Sequence, residues 1–96
     1  MASKIKWSPR SVTNLEDICD YIARDSEFYA ALFAKRVMAL VESTAHFPRV
    51  GRVVPEYGNQ NIRERIHGNY RIVYRVKKNM IEIAAICHGA KGLPDI

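Results

Sequence analysis

Arg63-Glu64-Arg65-Ile66-His67-Gly68-Asn69-Tyr70-Arg71-Ile72-Val73-Tyr74-Arg75-Val76, the turn Lys77-Lys78-Asn79, and Ile81-Glu82-Ile83-Ala84-Ala85-Ile86-Cys87-His88-Gly89-Ala90-Lys91 make up the stretch that decides the fold. Successive side chains of a strand point to opposite faces. A period of two therefore puts Tyr70, Ile72, Tyr74 and Val76 on one face and Arg71, Val73, Arg75 and Lys77 on the other. The first face can bury a core while the second displays guanidinium groups. The same alternation sets Arg63 with Arg65, Arg71 with Arg75, and Glu82 with His88. If the strands pair antiparallel through short turns, these sets can meet on one uncovered face, with the register left open.

Upstream, Lys4-Ile5-Lys6-Trp7 alternates as a short first strand, and Ser8-Pro9 has the form of a helix N-cap followed by proline at the first helical position. Val12, Leu15, Ile18, Cys19 and Ile22 then recur at three and four residues, the spacing of one apolar helical stripe. Arg24-Asp25-Ser26 interrupts it, and Asp25 or Ser26 can cap a second helix from about Glu27. That helix carries Ala30, Phe33, Ala34, Val37, Met38, Val41 and Ala45 and should stop at Phe47, since Pro48 disfavours a helical residue before it. Residues 48–61 hold two prolines, two glycines and Asn59-Gln60-Asn61, a surface loop bearing Arg49 and Arg52. A strand at about 62–66 follows. The expected fold is α+β, in β-α-α-β-β-β order: an antiparallel sheet with an N-terminal helical hairpin packed on one face.

Ninety-six residues suit one domain spanning 1–96, with one two-layer core. Hydrophobic residues make up 48% and charged residues 26%, which argues against disorder. The net charge of +5, concentrated in the second half, points to a polyanionic or acidic partner. Cys19 and Cys87 are too few for a disulfide framework, and a reducing cytoplasmic setting fits them. The longest apolar runs, at 30–34 and 37–41, fall far short of a signal peptide or a membrane span, so no membrane partner is expected.

Arginines fixed on strands, with a histidine and a lysine closing the set, suit a phosphodiester or an acidic protein segment. RNA cleavage without a metal needs a base for the 2′-hydroxyl, cations for the charge building on phosphorus and an acid for the leaving oxygen. His88 can move protons, while Arg65, Arg71 and Lys91 can supply the electrostatic part. The same arginine row can equally be a solvated face or a protein-binding groove, and His88 a strand-end cap. No metal is expected, because Cys87 and His88 are adjacent on a strand and no spaced Cys/His set exists. No nucleotide or phosphate-cradling motif appears, so no cofactor is expected.

Trp7-Ser8, the helix with Leu15, Ile18 and Tyr21-Ile22, the Phe47-Pro48…Gly51-Arg52 junction, the run 68–76 and the closing Ile86-Cys87-His88-Gly89-Ala90-Lys91 together resemble the RelE/ParE superfamily of bacterial toxins. The resemblance implies the toxin of a type II toxin–antitoxin module, of the kind that stabilises plasmids. An acidic antitoxin with a partly disordered tail would neutralise it, and operator DNA would be bound only by the two together. It also implies one of two actions. RelE-like members cut mRNA in the ribosomal A site without a metal, and ParE-like members block DNA gyrase and cleave nothing. On the first reading Arg65, Arg71, His88 and Lys91 are the catalytic candidates, with Arg63, Arg75, Arg49 and Arg52 binding RNA or antitoxin. On the second the helical hairpin and the C-terminal segment make the contacts.

Overall fold

A computed structural model describes residues 2–89 and 92–96. Seven elements follow one another: β1 (Lys4–Trp7), α1 (Pro9–Ala23), α2 (Glu27–His46), β2 (Arg52–Val53), β3 (Ile62–His67), β4 (Tyr70–Lys77) and β5 (Met80–His88). They build an α+β fold whose sheet has the order β1-β5-β4-β3-β2. All neighbours pair antiparallel except β1, which runs parallel to β5 and makes the sheet mixed. The helical hairpin intervenes between β1 and the rest, and β1 closes the far edge in the same direction as the last strand. β2, only two residues long, adds an edge that proline- and glycine-rich sequence does not announce.

Both helices begin where their caps dictate. The Ser8 hydroxyl accepts from the Ser11 N–H at 3.1 Å with Pro9 in the first turn, and the Ser26 hydroxyl accepts from the Tyr29 N–H at 3.1 Å. α2 ends at His46 with Phe47 as its C-cap. Phe33, Val37, Val41 and Ala45, one α2 face at a spacing of four, meet Ile72, Tyr74, Ile81, Ile83 and Ile86 of the sheet. Leu15, Ile18, Cys19 and Ile22 pack against this core from α1. Met38 and Val12 lie at the margins of their stripes and remain exposed.

Two details of the sheet decide which side chains share a face. Gly68, at φ +57°, opens the two-residue turn that pairs His67 with Tyr70. Arg65 therefore stands opposite Ile72, and Arg63 opposite Tyr74. Further on, Val73 pairs with Ala85 but Tyr74 with Ile83, leaving Ala84 as the extra residue of a β-bulge. α1 secures that irregularity: the Ser8 hydroxyl donates to the Ala84 carbonyl at 3.0 Å, and the Asn14 side-chain oxygen accepts from the Ile86 N–H at 3.0 Å. Beyond the end of β1, the N-cap of α1 and a polar side chain within it thus bond the outer edge of β5.

Candidate functional site

The expected gathering of arginines on one open face does not form. Paired residues in an antiparallel sheet share a face, so Arg63 and Arg65, opposite Tyr74 and Ile72, lie on the helix side. Arg71 and Arg75 lie on the other side. The bulge at Ala84 also separates Glu82 from His88. Glu82 stays opposite Arg75 on the face away from the helices, whereas His88 pairs with Tyr70 on the helix side, their rings edge-on at 5.4 Å. Lys91 lies outside the described residues.

The face away from the helices is not uncovered along this stretch: Glu64, Val73 and Ala85 on it are buried, and the Arg71 side chain is only 10% exposed. Its Nε donates to Glu64 Oε1 at 2.5 Å, and its two terminal nitrogens donate to Glu56 at 2.7 and 3.0 Å. The Glu64 side chain, 0% exposed, takes a second guanidinium from Arg52 through Nε at 2.5 Å. Two arginines and two glutamates thus cancel one another in a chain from Arg52 through Glu64 and Arg71 to Glu56. Farther along the sheet, Arg75 and Lys77 both reach Glu82 at 3.2 Å. Burial pushes the Glu82 carboxyl up, but the hydrogen bonds and charges of Lys77 and Arg75 outweigh it and leave the group below its ordinary value.

The Arg71 hydrogen bonds hold the Glu56 carboxyl at about 2, below its ordinary 4.5. A folded value below the unfolded one means that the pair contributes fully above about pH 4.5 and loses its contribution as the pH falls toward about 2. Thermal melts should therefore show Glu56→Gln less stable than the wild-type protein near neutrality, with the gap closing through that acid window. A gap of constant size would mean that the pair carries no such linkage.

The helix-side cations are held differently. Arg65 donates to the Thr44 hydroxyl of α2 at 3.0 Å. Arg63 donates to the carbonyls of Gly51 at 2.9 Å and Gln60 at 3.0 Å, and Arg49 to the Asn61 side-chain oxygen at 3.0 Å. These acceptors are neutral, so the bonds do not offset the guanidinium charges. All three act on the Tyr74 hydroxyl, which burial pushes up and which their charges pull down. That hydroxyl donates to the Pro48 carbonyl at 2.7 Å and accepts from the Gly51 N–H at 3.0 Å, fixing the loop after α2. Beside this cationic cluster runs a groove of about 530 Å³, lined in part by Phe47, Pro48, Arg49, Val50, Val76 and Lys77. Phe47 and Val50 are both exposed.

Sequence reasoning missed the carboxylates that occupy the arginines. Glu64 falls on the opposite parity to Arg63 and Arg65, and that alternation was the available signal. Glu56 sits in an irregular loop and gave none. Among the described residues no cluster of three or more His, Cys, Asp or Glu side chains could hold a metal ion. Among the same residues no helix is long and apolar enough to cross a membrane. Burial raises both the Cys19 and Cys87 thiols, so neither is activated as a nucleophile.

Residues 5–92 match the family described as ParE toxin of type II toxin-antitoxin system, parDE. Over 98 residues the chain is 28% identical to a Sinorhizobium fredii protein named Putative toxin Y4kP, covering 97% of this chain and 95% of that one. Among solved structures it is similar to a chromosomal ParDE toxin–antitoxin system from P. aeruginosa, with a TM-score of 0.73 and 19% identity, covering 91% of this chain and 96% of the other. It is also similar to the RelBE2 toxin–antitoxin complex from Mycobacterium tuberculosis, with a TM-score of 0.64 and 16% identity over 95% of each chain. At such identities the two structures speak for the fold, and the residue match supplies the assignment. The chain belongs to the ParE toxin family of type II toxin–antitoxin systems.

Proposed function

We propose that this toxin arrests growth by binding DNA gyrase rather than by cleaving mRNA on the ribosome, and that an acidic antitoxin neutralises it. The observation that carries the choice is the division of the nuclease candidates between two faces. Metal-independent RNA cleavage needs proton-transfer groups and cations within hydrogen-bonding reach of one phosphate. Arg65 and His88 lie on the helix side, while Arg71 lies on the opposite side with Glu56 and Glu64 occupying its donors. A non-enzymatic toxin has no need for such convergence.

The antitoxin is assigned to the basic end of the molecule. Arg49, Arg63 and Arg65 bond neutral acceptors there, and the groove beside them offers Phe47 and Val50 to an apolar anchor. An acidic segment that orders on binding gains both Coulombic steering and buried apolar surface at this place. Operator DNA belongs to the complex, through the antitoxin.

Relaxed plasmid, purified gyrase and ATP provide the test. Added toxin should stop supercoiling at near-stoichiometric ratios, and the antitoxin from the neighbouring reading frame should restore it. Supercoiling that proceeds unchanged with folded toxin present would overturn the gyrase assignment.

A further inference from the structure

The opposite end of the molecule has the opposite chemistry. At the tip of the helical hairpin Tyr21, Phe28 and Tyr29 are 64%, 72% and 62% exposed, and the Phe28 and Tyr29 rings meet edge-on at 5.3 Å. Three aromatic side chains bare to water within one turn of the connection between α1 and α2 exceed what scattered surface hydrophobes explain. Tyr21 also stands on the rim of a groove of about 680 Å³ between α1 and the end of β5, whose lining includes Asp17, Ile18, Tyr70, Ile86 and His88. The groove is of ligand size, and its lining mixes two tyrosines and two isoleucines with the polar Asn14, Asp17 and His88.

Its charge says what fits. Across residues 16–34, the stretch that runs through the hairpin tip, Glu16, Asp17, Asp20, Asp25 and Glu27 stand against Arg24 alone, whereas the chain as a whole carries +5. Arg24 lies 5.8 Å from the centre of the Tyr21 ring and takes one part of its surface, so a partner's guanidinium would meet the remainder of a side chain that is 64% exposed. A tyrosine face beside a carboxylate is a setting in which a cation gains from both the ring and the charge. We propose that this groove and the hairpin tip dock a basic protein segment, one that presents arginine flanked by apolar side chains. This partner differs from the acidic antitoxin, because the two ends of the toxin carry opposite charge. The inference deepens the gyrase assignment, which gives its contacts to this same hairpin, and rests on that reading; peptide binding and supercoiling are read separately, so either can fail alone.

A synthetic peptide with two arginines set between leucines, and its counterpart with glutamates in their place, are the probes. Each is titrated into the full-length protein and followed by amide chemical shifts. The arginine peptide should shift Asp17, Ile18, Tyr21 and residues 86–88, and Asp17→Asn and Tyr21→Ser should each weaken it about tenfold, the loss expected for one anchor of a small interface. Asp17 and Tyr21 are both exposed, and unchanged melting temperatures of the two variants would exclude misfolding. Three results would overturn the proposal: equal binding of the glutamate peptide, shifts confined to other surfaces, or affinity unaltered in both variants. Concentration-dependent shifts of the same residues without peptide would identify a second copy of the chain as the occupant, and would also overturn it.

Discussion

Replacing Arg71 by methionine should lower the unfolding free energy by about 3 kcal/mol, because removing one partner of a buried ion pair leaves a charge poorly compensated. In a domain of this size that corresponds to a fall in melting temperature of roughly 15 °C. The carboxylate at stake is Glu64, which has no exposed side-chain surface and would keep only the Arg52 guanidinium, itself on a side chain 63% exposed. The paired change Arg71→Met with Glu64→Met should recover most of the loss, ending within about 1 kcal/mol of the wild-type protein, since apolar replacement of a whole buried pair is often close to neutral. A single variant as stable as the wild type would show that the chain from Arg52 to Glu56 contributes nothing to the fold. The result also bears on function. A toxin that loses activity with Arg71 changed has lost part of its framework, so such a variant says little about catalysis unless its folding is measured alongside.

Gly51→Ala should cost a similar amount, about 3 kcal/mol, by overpacking. A Cβ there would stand 2.6 Å from the Glu64 carbonyl oxygen and 2.6 Å from the Tyr74 hydroxyl. Neither can give way easily. The carbonyl belongs to β3, and the hydroxyl is fixed by its two hydrogen bonds, to the Pro48 carbonyl and from the Gly51 N–H. Tyr74→Phe should cost about 2 kcal/mol by leaving those backbone groups without their partner. It also removes one of the two clashing atoms, so the double variant should be less destabilised than the two single costs added together. Denaturant unfolding of the three proteins reads this directly, and strict additivity would contradict the shared staple. Gly92→Ala, with nothing near its Cβ position, serves as the neutral control.

The elements themselves were legible because each has a local cause. Ser8-Pro9 and Ser26 start the helices, Pro48 follows the end of the second, and period-two alternation marks β3 and β4. The faces were less legible, because they depend on single-residue register. In Ile83-Ala84-Ala85-Ile86 every side chain is apolar, so a bulge that slips alternation by one leaves no mark in the sequence. That slip carries His88 to the helix side with Tyr70. The turn at Gly68-Asn69 likewise sends Arg65 to the face of Ile72, away from Arg71. Parallel pairing of β1 with β5 joins residues more than seventy positions apart, and nothing local encodes it. Counting arginines found the cations, but a cation's availability depends on its acceptors. Glu56 and Glu64 occupy Arg71, whereas the carbonyl, amide and hydroxyl oxygens that hold Arg49, Arg63 and Arg65 bring no opposing charge.

Primer extension on a reporter mRNA in a purified translation system, with and without the folded toxin, tests the central claim most directly. Guanidiniums divided between two faces, with Arg71 held by two carboxylates, predict full-length transcripts at toxin concentrations that stop gyrase. Cleavage within ribosome-occupied codons, absent when Arg65→Ala replaces the wild-type protein at equal folded concentration, would contradict the account and return these residues to an active site.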